Sequence, residues 1–283
     1  MPSTNVTELG AEATVVKQNE MLAILYTLPR ITRFDLDGAI WNQAMSINAN
    51  TPSGGQLVIN PTGTRFYFYN GTFVNQYSCP IPWNVLSLTY IGAYDTTVET
   101  GTLTGIAITP DGLRLYALDP NADIMFQYNF GTAWDVSTLA YSGNSVAVGA
   151  SSIAGIHVTA DGTRIYCARS LAKTVTMWTL AVPYDLSTAA LTDTLDVSDV
   201  IAAPHGVHLA TDGAYMYVGC DTAEIVVQYT LTTPYDLGTA TVKQGVSIAA
   251  EETVLKGIWV SPTGHKLIIS GAEVKEVNEY DIT

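Results

Sequence analysis

Short apolar runs alternate with turn residues along most of the chain, and the alternation is periodic. Aligned on the turn glycines Gly63, Gly112, Gly162, Gly213 and Gly264, the copies are spaced by 49, 50, 51 and 51 residues. Seven positions before these glycines stand Gln56, Gly105, Gly155, Gly206 and Gly257. Between the two marks lie the apolar triplets LVI, IAI, IHV, VHL and IWV, each short enough for a buried strand. A second strand follows the turn, with Tyr67, Tyr116, Tyr166, Tyr217 and Ile268 in register. A third ends in Tyr77, Tyr128, Trp178, Tyr229 or Tyr280, preceded by Gln76, Gln127, Met177, Gln228 or Glu279. An aromatic before Asp or Asn then introduces a fourth strand: Trp83-Asn84, Trp134-Asp135, Tyr184-Asp185, Tyr235-Asp236. The Asp-Gly pairs at 111, 161 and 212 suit tight hairpins whose turn needs positive φ.

Four antiparallel strands recurring at about 50 residues predict an all-β chain folded as a β-propeller, since each blade alone leaves apolar faces exposed and must stack on neighbours. Residues 13–50 read as a degenerate first copy. In it Leu22 to Thr27 and Ile31 to Leu36 serve as strands, and Trp41-Asn42 as the aromatic step. The last copy stops before its fourth strand, and Thr4-Asn5-Val6 resembles Trp83-Asn84-Val85. The expectation is therefore six blades in one domain, 1–283, with five or seven as alternatives. The repeats run about 13–55, 56–104, 105–154, 155–205, 206–256 and 257–283, and residues 1–12 supply the strand that closes the last blade.

Charge narrows the partners. The net charge is −14, with 12 basic residues against 26 acidic ones, so no basic stripe for a phosphate backbone is available. Nucleic acid is not expected as a partner, nor is membrane insertion, because no apolar segment reaches the length of a span. No signal peptide is visible. Cys79, Cys167 and Cys220 are odd in number and show no CxxC spacing, which suits free buried thiols.

The copies serve as internal controls for chemistry: a residue present in each belongs to the scaffold, and one that departs is a better candidate. His157 and His208 share a register in the innermost strands, and His205 lies three residues before His208. Three histidines near an axis make a weak metal candidate, but the other blades place Val58, Ala107 and Trp259 there and no carboxylate joins them. No resident cofactor is expected, with Ca²⁺ or Zn²⁺ as the outside case. The acidic stretches Asp35-Leu36-Asp37-Gly38 and Asp119 to Asp123 lack the length and closing Glu of an EF-hand loop. No catalytic motif is recognisable. The template diverges just past the second strand, so Asn70, Asp119, Arg169, Lys173, His205, Asp221 and Glu224 form the candidate ligand face, since binding groups concentrate on loops of a rigid scaffold.

The pattern G-I-x-V-T-x-D-G-x-R-x-Y, best seen from Gly155 to Tyr166, with Q-Y and the Pro183 to Thr188 segment PYDLST, resembles the YVTN and NHL group of propeller repeats. The PYDL-S/G-T variant is also similar to propeller segments of tailed-bacteriophage virion proteins. That resemblance implies a non-enzymatic tail, fibre or decoration component for attachment or host recognition. Its partners would be virion proteins or a host receptor, or further copies of itself. Its location would be the virion, or alternatively the cytoplasm or the cell exterior. One competing resemblance is to gluconolactonase-type propellers, which implies a metal-dependent hydrolase with carboxylate ligands at the channel mouth. Another alternative is a cell-surface carbohydrate-binding propeller using Tyr94 and Trp259.

Overall fold

The computed structural model describes residues 34–47, 55–149 and 152–282. The described chain begins with Phe34 to Ala39, which leads into β1 (Ile40–Ser46). The first blade is β2 (Leu57–Ile59), β3 (Arg65–Asn70), β4 (Phe73–Ser78) and β5 (Thr89–Asp95). The second is β6 (Gly105–Ile108), β7 (Arg114–Asp119), β8 (Ile124–Phe130) and β9 (Leu139–Ala147). The third is β10 (Ile153–Val158), β11 (Arg164–Arg169), β12 (Thr174–Leu180) and β13 (Ala189–Asp196). The fourth is β14 (Pro204–Leu209), β15 (Tyr215–Cys220), β16 (Ile225–Leu231) and β17 (Ala240–Ser247). The fifth contains β18 (Leu255–Val260), β19 (Lys266–Gly271) and β20 (Glu276–Asp281), and β1 pairs antiparallel with β20 as its outer strand.

The described residues thus form a β-propeller of five four-stranded antiparallel blades, not six. The innermost strands pack in a closed cycle, β2 on β6, β6 on β10, β10 on β14, β14 on β18 and β18 on β2. Residues 40–46 are the outer strand of the last blade rather than part of a separate first blade, and Tyr280 faces Trp41 across the closing ladder. The expected closing strand at residues 1–12 lies outside the described residues, and its place beside β20 is filled by β1.

Four of the blades are tied to the next by the same device, which explains the periodic aromatics; the fifth has Ile268 in place of the tyrosine, and its Glu279 accepts from Val85 N at 3.3 Å. Trp83, Trp134, Tyr184, Tyr235 and Phe34 all hold φ between 64° and 68°. Each ring lies flat on a turn glycine: a Cβ at Gly63, Gly112, Gly162 or Gly213 would fall 2.4 Å or less from it, and one at Gly264 2.7 Å from Phe34. These glycines therefore serve twice, for their own positive φ and for the missing side chain. The carbonyl of the aromatic accepts from the second-strand tyrosine of the preceding blade, as in Tyr67 Oη to Trp134 O at 2.6 Å and Tyr116 Oη to Tyr184 O at 2.9 Å. Third-strand amides add to this: Gln76 Nε2 donates to Trp134 O at 2.8 Å and its Oε1 accepts from Val136 N at 3.0 Å. Phe34 plays this part for the fourth blade, accepting from Tyr217 Oη and from Gln228 Nε2. The aromatic-Asp step of the closing segment is therefore Phe34-Asp35, not Trp41-Asn42. Burial of the tyrosine hydroxyls raises their pKa values, so they stay neutral donors.

Candidate functional site

The five innermost strands converge on one axis, and position by position they show what that axis holds. At the first register four blades carry glycine and one carries Gln56. Its side chain crosses the axis: Nε2 donates to Ile156 O at 2.7 Å, and Oε1 accepts from Ile156 N at 3.2 Å and Ile106 N at 3.3 Å. The glycines make room for this packing, since a Cβ on Gly105 would stand 2.9 Å from Gln56 Oε1 and one on Gly257 2.9 Å from Gln56 Cα. Gln56 forms one end of an axial cavity of about 260 Å³, and the turn residues Pro61, Pro110, Ala160, Thr211 and Pro262 rim the other end. Among the described residues no Lys, Arg, Asp or Glu lines the cavity.

The next register places Val58, Ala107, His157, His208 and Trp259 around it. The three large side chains come from adjacent blades and stack as an arc. His157 meets His208 edge-on at 4.7 Å between ring centroids and 79°, and His208 meets Trp259 at 4.6 Å and 54°. The small Val58 and Ala107 on the remaining two blades leave the space. The Val260 carbonyl of the neighbouring blade lies beside the His208 ring and opposes part of the burial effect on its pKa. His157 has no hydrogen-bond partner among the described residues, and its ring borders the cavity. Burial lowers the His157 pKa to about 3, and burial together with the adjacent His157 ring holds His208 well below the usual histidine value, because both disfavour the charged form. Both rings are therefore neutral at pH 7, each with one lone-pair nitrogen and one N–H.

The three histidines do not converge. His205 stands apart from the cavity, buried, with its Nδ1 unpartnered among the described residues. Its pKa is lowered to about 4 by burial and by the Lys256 ammonium. Among the described residues no group of three or more His, Cys, Asp or Glu could hold a metal ion. The described residues of the axial cavity include no carboxylate ligand set of the kind implied by the gluconolactonase resemblance.

The loop-face residues lie at the Gln56 end, opposite the cavity rim, because the second strands end there. Asp119 is buried and accepts from the backbone of Gly101 at 2.8 Å, Asn121 at 2.8 Å and Ala122 at 3.1 Å. Arg169 Nη2 donates to the carbonyls of Val148 and Gly149. Asp221 is paired with Lys256 at 2.9 Å. Lys173 and Glu224 hold φ of 53° and 50°, the same turn position as Asp123 at 54° and Lys275 at 59°. Asn70 closes the β3–β4 hairpin opposite Phe73. Of the aromatics named for sugar stacking, Tyr94 packs edge-on against Tyr128 at 5.9 Å, while Trp259 lines the axial cavity. In the acidic stretch at 35–38, Asp35 is held by Lys243 at 2.6 Å. All three cysteines are free and buried.

No protein-family model matches the chain, and no curated protein matches it. Solved structures do. A functionally unknown protein from Desulfotomaculum acetoxidans is 17% identical over 81% of this chain and 68% of its own, with a TM-score of 0.52. A putative 6-phosphogluconolactonase from Bacteroides fragilis is 18% identical over 75% of this chain and 61% of its own, with a TM-score of 0.50. The β-propeller domain of Cps50 (Swd1) from Myceliophteria thermophila is 9% identical over 86% of this chain and 100% of its own, with a TM-score of 0.51. The chain spans less than two thirds of the length of the 6-phosphogluconolactonase-named neighbours. At these identities the likeness establishes the β-propeller fold, and the resemblance to YVTN, NHL and phage repeats holds only to that extent. The expectation of a non-enzymatic chain is corrected: proteins named as putative 6-phosphogluconolactonases share this fold, and an axial pocket with two neutral imidazoles lies where sequence motifs gave no sign of chemistry.

Proposed function

We propose that the axial cavity binds a compact, uncharged lactone and hydrolyses it, with His208 as general base and His157 as the group that stabilises the oxyanion. The observation that carries this reading is the paired geometry of the imidazoles. His208 has the Val260 carbonyl beside its ring, in the place a third group takes when it orients a base in a hydrolytic site. His157, 4.7 Å away, has an N–H with no protein partner. A water held by the free nitrogen of His208 attacks the carbonyl carbon and gives its proton to that nitrogen. The carbonyl oxygen, now an oxyanion, accepts from the His157 N–H. Collapse breaks the ring C–O bond, and the leaving alkoxide takes the proton back from His208. One water is consumed and one hydroxy acid is released.

The lining sets the substrate class. With no cationic side chain among the described residues of the lining, a phosphorylated or carboxylated lactone would leave its charge unpaired in an apolar site. The cavity volume of about 260 Å³ lies below the usual range of drug-sized sites, so the ligand is small. The hydroxy-carboxylate product, once ionised, is disfavoured in the same site, which promotes release. The test is hydrolysis of a panel of uncharged γ- and δ-lactones followed by proton release. His208→Asn and His157→Asn are each expected to lower kcat/KM by about 10²-fold or more. Chelator is expected to leave the rate unchanged. A wild-type rate no greater than that of the double variant would overturn the proposal.

A further inference from the structure

Four blade junctions set a cation two residues past the turn glycine on the rim, and the fourth-to-fifth sets Tyr215 there under Lys243 at 5.1 Å. At the second-to-third junction Arg114 pairs with Asp111 at 3.7 Å and lies over the Tyr184 ring at 5.4 Å, and Asp185 accepts from Asn144 Nδ2 at 3.2 Å. At the third-to-fourth junction Arg164 pairs with Asp161 at 3.6 Å and lies over Tyr235 at 5.8 Å. At the fifth-to-first junction Lys266 is held by Glu279 at 2.5 Å and Asp281 at 2.6 Å.

Among the described residues the first-to-second junction differs in leaving its cation without an ion pair, although a cleft of similar size, about 440 Å³, recurs at the second-to-third junction beside Arg114 and Asp185. The turn before Arg65 carries Thr62 where the next two carry Asp111 and Asp161, and Thr263 holds the same place before Lys266. Among the described residues Arg65 makes no ion pair and stacks on no ring, and its guanidinium makes one hydrogen bond, to the Thr64 carbonyl at 3.1 Å. Opposite it, Asp135 spends Oδ1 on Ser137 N at 3.0 Å and Ser137 Oγ at 2.7 Å and leaves Oδ2 without a protein partner. The outer strand β5 has 7 residues against 9 in β9, and no side chain takes the part of Asn144. Arg65 and Asp135 do not pair with each other, yet both line a cleft of about 450 Å³ together with Ile91, Thr132 and Trp134.

We propose that this cleft is a saccharide-binding site, distinct from the axial cavity. A simple anion would meet Asp135 and a chain of net charge −14, and a simple cation would meet Arg65. A neutral pyranose suits both walls: one hydroxyl accepts from the guanidinium, its neighbour donates to Asp135 Oδ2, and the C–H face covers Ile91 and Trp134. Each such hydrogen bond to a charged group is stronger than a neutral one, which favours polyols over apolar ligands.

The test is titration with the methyl pyranosides of glucose, galactose and mannose and with N-acetylglucosamine, by calorimetry and saturation-transfer NMR. At least one is expected to bind with a Kd of about 1 mM or tighter. Arg65→Gln and Asp135→Asn should each weaken it tenfold, or about 1.4 kcal/mol. Asp135→Asn keeps the turn, because Asn84 caps the equivalent 3-10 turn in the first blade by accepting from Leu86 N. Arg114→Gln and His208→Asn should bind as wild type, which separates this site from the axial reading. No binding by any of the four sugars, or equal binding by Arg65→Gln, overturns the proposal. Binding of alanine or glycine betaine with the same variant dependence, and of no sugar, also overturns it in favour of a zwitterion site.

Discussion

Replacing Gln56 tests whether the disc is held together across its axis as well as around it. In Gln56→Ala three hydrogen bonds are lost, those to Ile106 N, Ile156 N and Ile156 O. Gln56 is 2% exposed, so the three backbone groups lose partners in a buried setting. A net value of about 1 kcal/mol per bond, with part of the desolvation cost recovered by water entering from the cavity, gives a loss of roughly 3 kcal/mol. For a domain of this size that corresponds to a drop in Tm of roughly 6–12 °C. Urea denaturation followed by tryptophan fluorescence reads the same quantity as a shift in midpoint at constant slope. Gln56→Glu sharpens the test. The carboxylate still accepts from the two N–H groups but sets a negative charge against Ile156 O, whereas the protonated acid donates to it. The folded-state pKa of this Glu is therefore raised, and its penalty should be small at pH 4 and grow as pH rises towards 7. A loss below about 1 kcal/mol in Gln56→Ala, with no pH-dependent difference for Gln56→Glu, would refute the view that this side chain ties three blades.

Further outcomes follow from other parts of the site and scaffold. The rate of lactone hydrolysis should show no acidic limb near pH 6.5, because His208 is held well below that value and stays unprotonated; a pH–rate profile checks this. Stability should fall as pH drops below about 6.5, since the unfolded chain takes up protons that His157, at about 3, and His205, at about 4, refuse in the native state. By pH 4.5 the loss should reach about 2 kcal/mol per histidine relative to pH 7, measured by urea titration at both pH values. Gly162→Ala places a Cβ 2.4 Å from the Tyr184 ring at a backbone φ of 68°. That substitution should cost roughly 2–4 kcal/mol in a denaturant melt. A chain lacking residues 1–46 should expose the edge of β20 and associate, and an added peptide of residues 34–46 should restore the monomer on a sizing column.

The repeat was legible because each copy obeys the same packing demand, and the register of Gly63 with Trp83 or Gly112 with Trp134 recurs wherever a ring must lie on a turn. The blade count departs from the expected six for a physical reason. The closing segment Phe34-Asp35-Leu36-Asp37-Gly38-Ala39 repeats the Tyr184-Asp185-Leu186-Ser187-Thr188-Ala189 step, but it stands at the other end of the sequence from the blade it completes. Read in chain order it suggests the start of a blade, although it is the end of one. The axial arc of His157, His208 and Trp259 was visible as a shared register; its pairing into a pocket was not. That depended on Val58 and Ala107 being small and on Gln56 reaching across, which no periodicity encodes. Arg65 and Asp135 escaped because each matches its register, and only their missing partners, Thr62 and the shorter β5, set them apart.

The way β1 is used also imposes an order on the making of this protein. Trp41 bonds Asn278 through Nε1 at 3.1 Å, across 237 positions of chain. At synthesis rates of roughly 5–20 residues per second, the first of these partners waits on the order of 10–50 s for the second. During that interval the segment from Phe34 to Ser46 is a strand without a sheet, and the growing blades have no last neighbour. Even in the finished ring Ile40 stays 68% and Trp41 47% exposed, so this strand carries apolar surface that the sheet never fully covers. The first of the described strands is the one placed last, so the ribosome, rather than any single contact, sets when the ring can close.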